Sequence, residues 1–527
     1  MGPTVIHFLL PARVLRLPPA RRLAVLAALL AVAWVQPLQA QDDRTPGTMA
    51  VARPGAGLLP TLGDGSELAA SAERRLGDRI AREIYRDPDY LDDPVLVEYV
   101  DGIWQPLLAA ARSRGEISPE LDERFAWEVM LGRDRTINAF ALPGGYLGLH
   151  LGLIGVVGSR DELASVLAHE LSHVTQRHIS RLITKQNAQT PWVIGAMILG
   201  ALAASKSPEG ASAVMAGGQA VALQNQLNFS RDMEREADRV GFVVMAQAGF
   251  APQGFTSMFD KLQNAARLND NGAFPYLRSH PLTTERIADM QSRQPVGQAP
   301  APPTDLVMDH TMVSARARVL SNPGVDLLRH AVAEAASPGF GALSPARQAA
   351  VLYGATLASA RLREFPAADA SLVRLSEVVR PFPAALRLTR LLEGELAQLA
   401  GRTAALLPAA GRPELFMNTQ SLVKAGRAAE ALPPLQTWLA RHPRDASAWQ
   451  LLAGACAAQG LSLRAIRAEA EAQVARMDYA AAVDRFKAAQ ALVRNAGGAS
   501  IDHIEASIID TRARAVQVLL REQALER

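Results

Sequence analysis

The chain has 527 residues, 49% hydrophobic and 5% aromatic, with 55 Lys and Arg against 52 Asp and Glu for a formal charge of +3. That length allows two or three domains. Residues 1–40 hold four Arg and no acid, so without them the balance falls to about −1, and nothing in the remainder favours nucleic acid.

In chain order, residues 1–40 read as a cleaved secretory signal: Arg13, Arg16, Arg21 and Arg22 precede the apolar run 23–34, and Leu38-Gln39-Ala40 resembles a small-residue cleavage site. The run is too short for a comfortable membrane span. A flexible Gly/Pro/Ser-rich segment is expected over 41–66. A first folded domain, 67–292, opens with helices expected at 67–86 and 94–113, parted by Asp87-Pro88, and has its core from about 124. Residues 138–153 alternate, break at Pro143-Gly144-Gly145 and then run apolar, which predicts a short hairpin or an edge strand leading into a helix. A plain core strand has the same pattern.

The next helix carries the most specific signal, His169-Glu170-x-x-His173. Residues four apart lie on one helix face, so both imidazoles can reach one metal ion. Glu170 follows the first ligand, where a carboxylate can polarise water at the metal and take its proton. Ser159-Arg160-Asp161-Glu162 reads as a capping box at the helix start. Leu163, Leu167, Leu171 and Val174 form an apolar stripe about 140° around from the His pair. The expectation is a helix anchored on one side that presents ligands to a cleft on the other.

Between this helix and the next lies an apolar run, 191–204, that suits a buried core helix, a flap over the cleft or a membrane-surface contact. A helix is then expected from about Ser230 to Gly249. On it Glu234 and Asp238 are four apart, so one carboxylate can complete a His2Glu zinc site with the other behind it. A solvated charged face is the competing reading, since Arg231, Asp232, Arg235, Glu236 and Arg239 are close by. Residues 293–305 form a Pro-rich linker, and 306–527 read as helical pairs. Trp449, Leu452, Ala453, Ala465 and Ala472 fit one tetratricopeptide register. Ala482, Phe486 and Ala489 fit the second helix of another, and Gly426, Ala431, Leu435 and Pro443 an earlier one. The single cysteine, Cys456, excludes an intrachain disulfide and fits a small core residue of a repeat helix. No cysteine stands at the signal junction for a lipoprotein anchor.

HExxH followed by Glu234-x-x-Ala237-Asp238 resembles the gluzincin peptidases related to the CAAX prenyl endopeptidase and the membrane heat-shock protease. It resembles more closely their periplasmic branch, the beta-barrel assembly-enhancing proteases, in which a peptidase domain precedes tetratricopeptide repeats. Residues 138–146, 172–178 and 280–286 are similar to that branch as well. The resemblance implies an α+β, mostly helical fold: a gluzincin-type domain with a small sheet, then an all-α repeat domain. It implies a periplasmic endopeptidase with one Zn2+ held by His169, His173 and Glu234, and with Glu170 activating water. Asp238 matches a proton donor or orienting carboxylate. His280 matches a residue that can fill the open metal position and hold the enzyme inactive, and Arg286 one that can stabilise an oxyanion. Asn138, Ala139, Phe140, Gly144 and Gly145 match a sheet edge that pairs with extended substrate. Implied partners are unfolded or misassembled outer-membrane proteins and, through the repeats, the outer-membrane assembly machinery. The alternative is a periplasmic chaperone or scaffold with little proteolysis, which an intact ligand set opposes.

Overall fold

The structure is a computed structural model that describes residues 68–185, 230–267, 275–294, 304–321, 323–495 and 502–525. The signal segment 1–40, the segment 41–66, the apolar run 191–204 and most of the linker 293–305 lie outside the described residues.

The first folded region begins with α1 (Ala70–Arg86) and α2 (Pro94–Ser113). Asp93 caps α2, accepting from Leu96 N–H, and Pro94 occupies the first turn, where its missing N–H is not needed. The face Val100, Ile103, Trp104, Leu107 and Leu108 recurs at helical spacing and is buried. β1 (Tyr90–Leu91) lies between α1 and α2; after α3 (Pro119–Arg124) come β2 (Glu128–Gly132), β3 (Ala139–Leu142) and β4 (Tyr146–His150), and the sheet order is β1-β2-β4-β3. β2 and β4 run parallel, whereas β3 and β4 form an antiparallel hairpin with Ala139 opposite Leu149 and Leu142 opposite Tyr146. Gly144 and Gly145 make the turn at φ 74° and 85°, where a Cβ is strained. β3 is thus both a hairpin strand and the sheet's edge, which unites the two sequence expectations for 138–153.

β4 passes directly into α4 (Leu151–Val156), and α5 (Arg160–Thr175) follows with Ser159 Oγ accepting from Glu162 N–H. Glu162 reaches back to Gly158 N–H, one residue earlier than the expected capping box. The expectation of a half-open α5 is corrected: every residue from Glu162 to Thr175 is buried. Its surroundings are α2, β3, α7 (Arg231–Gln247) and α8 (Gln253–Arg267), brought in from distant sequence. The region is completed by α6 (His178–Lys185), α9 (Pro275–Ser279) and α10 (Thr284–Ser292).

Beyond the linker the chain is helical: α11 (Thr304–Leu320), α12 (Val325–Glu334), α13 (Pro345–Arg361), α14 (Phe365–Val379) and α15 (Pro383–Leu399). These helices do not build a core of their own. Met308, Met312, Val313, Leu352, Leu375 and Leu391 belong to the same apolar cluster as the residues of the first region. Two smaller clusters serve the rest, α16 (Arg412–Lys424), α17 (Leu432–Arg441), α18 (Ala446–Ala458), α19 (Ser462–Ala475), α20 (Tyr479–Asn495) and α21 (His503–Leu525). From α18 on, each helix packs against the next. Leu452, Ala453, Ala465, Ala472, Ala482, Phe486 and Ala489 are buried at those contacts, and so is Cys456.

Ion pairs at the start of α2 tie the two regions together. Arg316 binds Asp93 through Nε (2.9 Å) and Nη2 (2.5 Å), and Glu395 through Nη1 (2.7 Å). Arg412 spans Asp92 and Asp445, and Arg387 spans Glu98 and Glu414. Burial opposes charge on Asp93, but Arg316 outweighs it and holds the carboxyl below its ordinary value of 3.8. A lowered folded pKa contributes stability above the unfolded value and loses it as pH falls through the folded one. Asp93→Ala leaves the buried Arg316 with Glu395 as its one remaining carboxylate among the described residues and removes the α2 cap, so it should cost about 3 kcal/mol in urea unfolding at pH 7. Adding Arg316→Met should recover part of that loss, and the difference between parent and Asp93→Ala should shrink below about pH 4.

Candidate metal centre

His169 and His173 stand one turn apart on α5, with their Nε2 atoms 3.0 Å from each other. Glu234, on the first turn of α7, faces both: Oε2 lies 3.5 Å from His169 Nε2 and Oε1 lies 3.5 Å from His173 Nε2. α7 approaches so closely because Gly241 has no side chain. A Cβ there would lie 3.0 Å from the Ala168 carbonyl oxygen and 3.1 Å from His169 N. His280, just after α9, brings Nδ1 to 3.0 Å from Glu234 Oε1 and 3.3 Å from His169 Nε2. One ligand atom from each of the four lies within 4.8 Å of the others, and all four residues are buried.

This set converges lone pairs on one point with too few protons to bridge them. Burial opposes charge on His169, but the hydrogen bonds it donates to Asp238 and Glu234 raise its pKa to about 10. Burial, then the charge of His169, pushes His173 well below its usual value. Burial would raise Glu234, yet His280 and His169 hold it well below the usual carboxylate range. Such a group is stable around a positive charge. Two imidazoles and a carboxylate, with a third imidazole at hand, fit a divalent metal that accepts nitrogen and oxygen ligands. Glu170 sits beside them with both carboxylate oxygens buried and, among the described residues, without a hydrogen-bond partner, and His280 Nε2 lies 3.5 Å away. An orphaned carboxylate next to a metal-shaped cluster fits a base whose partners are the metal's water and the substrate.

A further layer holds the ligands. Asp238 Oδ1 lies 2.9 Å from His169 Nδ1, and both Asp238 oxygens accept from Arg286, at 2.6 Å from Nε and 2.8 Å from Nη2. Arg286 Nη1 reaches Glu234 Oε2 at 2.7 Å and donates to the Pro281 carbonyl at 2.9 Å. The placement of Arg286 differs from the oxyanion role expected of it. It is 3% exposed, and its three nitrogens are engaged by two carboxylates and a carbonyl. Both Asp238 oxygens are likewise occupied, so its geometry is that of an orienting carboxylate. Asn138 and Ala139 are buried and Phe140 half-buried along the sheet edge, with Gly144 and Gly145 in the turn. β3 lies against α5.

Sequence reasoning assigned no role to two residues that touch the cluster. Tyr276 stacks on His280, with ring centroids 4.7 Å apart. His178 Nδ1 lies 2.8 Å from His173 Nδ1, and its Nε2 lies 3.0 Å from Glu236 Oε2. Five residues separate His178 from His173, a spacing that puts them on different faces of a continuous helix. The helix is not continuous there. Arg177 adopts φ 51° and folds the chain back, pinned by Glu73 at 2.9 Å.

Comparison with known proteins agrees with this geometry. The model of peptidase family M48 matches residues 111–294. A beta-barrel assembly-enhancing protease of Yersinia pestis is 30% identical, over 79% of this chain and 84% of its own length. A Vibrio cholerae protein assigned provisionally to the same kind is 31% identical, over 82% and 88%. The mitochondrial metalloendopeptidase OMA1 of Saccharomyces cerevisiae is 28% identical over 37% of this chain and 55% of its own. With a metallopeptidase family model over the clustered ligands and relatives alike along most of their length, the chain belongs to peptidase family M48, in the group of the beta-barrel assembly-enhancing proteases.

Proposed function

We propose that the chain is a zinc-dependent endopeptidase of the bacterial periplasm that degrades misassembled outer-membrane β-barrel proteins. The observation that carries this reading is the Glu170 carboxylate, buried beside the His169–His173–Glu234 cluster and without a hydrogen-bond partner among the described residues, since a scaffold has no use for such a base. The names of the relatives support a role in β-barrel assembly.

A zinc ion held by His169, His173 and Glu234 supplies the Lewis acidity that makes water nucleophilic near neutral pH and polarises a peptide carbonyl. Glu170 takes the proton of the attacking water and returns it to the leaving amine. Asp238, braced by Arg286, keeps His169 oriented. The edge of β3, with Phe140 on it, pairs with an extended substrate through main-chain hydrogen bonds, which tolerates many sequences. The Ile137 carbonyl just ahead of that edge already accepts from Tyr276 N–H at 3.3 Å, and the Asn138 carbonyl accepts from His150 N–H at 3.0 Å, so pairing begins at Ala139 or later. His280 lies within reach of both Glu170 and Glu234, and in this reading it covers the reaction centre at rest and is displaced by substrate or partner.

The helices after the linker serve substrate segments or assembly machinery. In support, a cavity of about 740 Å3 opens between the sheet and these helices, lined by Tyr85, Tyr90, Trp438, Arg441 and Arg444. Contact of 191–204 with the membrane surface belongs to the same proposal and rests on composition alone.

Three forms of the purified protein test this on an unfolded outer-membrane barrel protein. The parent or His280→Ala should cleave it, and Glu170→Gln should be slower by about 100-fold or more. Cleavage that first becomes measurable in His280→Ala establishes latency, whereas His280→Ala no faster than an active parent removes it. Absence of cleavage by all three, despite bound zinc and retained substrate binding, would favour the scaffold. Arg286→Lys separates two roles: as a brace for Asp238 and Glu234 it should weaken zinc affinity about tenfold or more. A loss of kcat with zinc affinity intact would restore its assignment to the oxyanion.

A further inference from the structure

We propose that His178 is a positioning residue that fixes the tautomer of His173, as the middle member of a relay running from Arg181 through Glu236 and His178 to the metal ligand. The inference rests on the reading that His169, His173 and Glu234 hold a metal.

The chain of contacts leaves one arrangement of protons. Arg181 Nη1 lies 2.9 Å from Glu236 Oε2, and the same oxygen lies 3.0 Å from His178 Nε2. A carboxylate accepts and does not donate, so His178 carries its proton on Nε2. In the metal-centre reading His173 turns its Nε2 to the metal position and so carries its proton on Nδ1. His178 Nδ1 lies 2.8 Å from that nitrogen and, with its own Nε2–H given to Glu236, is the acceptor. With its proton on Nδ1, His173 presents a bare Nε2 to Glu234, His169 and the metal position.

His169 reaches the same end by a shorter route, donating from Nδ1 directly to Asp238. The two ligands therefore use different devices for one requirement. α7 supplies both anchors, Asp238 to the buried side and Glu236, two residues earlier, to a side where 38% of its side chain is exposed. Between Glu236 and His173 stands the His178 imidazole, which touches both. The left-handed Arg177 makes this geometry accessible by turning the chain so that the first residue of α6 returns to the last turn of α5. Glu73 and the Leu68 carbonyl hold Arg177 in place.

The test is zinc affinity of the full-length protein by chelator competition, with circular dichroism of each metal-free form as the folding control. His178→Leu removes the acceptor for His173 Nδ1–H and should bind zinc about 10–100-fold more weakly. His178→Asn places an amide oxygen near the Nδ1 position and should recover most of that loss, which a space-filling role would not predict. Glu236→Ala changes only the half-exposed end and should give a smaller loss in a protein that folds normally. Parent-like affinity in His178→Leu overturns the relay while leaving the metal centre intact. So does a folded His178→Asn as weak as His178→Leu. A parent that binds no zinc overturns the metal-centre reading itself, and the relay with it.

Discussion

Four buried groups with lone pairs aimed at one point repel each other unless a positive charge stands between them, and the peptidase region is built around that constraint. His169, His173, Glu234 and His280 come from three separate stretches of chain, and within the protein only protons can stand in for the missing charge. Hence the opposed titration of neighbouring histidines, one raised to about 10 and one pushed well down. Burial on all sides of α5 strengthens the effect, because charges taken out of water interact more strongly. The same burial makes the ligands rigid, and a site whose geometry is fixed beforehand needs no reorganisation when it reacts.

Rigidity at the centre depends on a scaffold that continues past the peptidase. α11 to α15 share the peptidase core, and Arg316, Arg412 and Arg387 each bridge carboxylates from both regions at the start of α2. Buried ion pairs of this kind add little net stability, because desolvation cancels most of the Coulomb gain. They do specify orientation, since a misdocked helix would leave an arginine without its partner. A core that joins the two regions transmits position from the later helices to α2, which packs directly on α5.

Local signals in the sequence read well and distant ones did not. The HExxH spacing, the Ser159 cap, the break at Pro143-Gly144-Gly145 and the helices over 67–86 and 94–113 are properties of a few consecutive residues. Each has its counterpart in the structure. Glu234 stands out through its spacing to Asp238 and through the family resemblance, while the charges around it allow a solvated face as well; the close approach of α7 at Gly241 is what sets it against both histidines. The full burial of α5 was hidden because the covering helices lie up to about a hundred residues away. The engagement of Arg286 by Asp238 and Glu234 was hidden for a similar reason, since an arginine near a cleft reads alike whether it faces substrate or its own carboxylates. His178 was lost to the helical rule of three and four, which fails where Arg177 reverses the chain. The core shared by α11 to α15 with the peptidase was masked by the Pro-rich linker, whose composition marks a boundary in sequence and says nothing about docking.

The placement of His280 shows how a closed centre can still be opened. Its segment is fastened at both ends, by Tyr276 N–H on the Ile137 carbonyl and by the Pro281 carbonyl on Arg286. Between these ties, His280 holds a hydrogen bond to Glu234 and a stack on Tyr276. Leaving the cluster by side-chain rotation gives up the contacts of the imidazole, those to His169 and Glu170 included, and keeps the ties, whereas moving the segment breaks a tie as well. The tie at Ile137 lies directly ahead of the sheet edge at Ala139. A strand pairing along that edge therefore arrives next to the segment that carries His280, and the contact that positions a peptide is adjacent to the one that would release the histidine. In the proposed reading, substrate pairing and the uncovering of Glu170 would be coupled through the Tyr276–Ile137 contact.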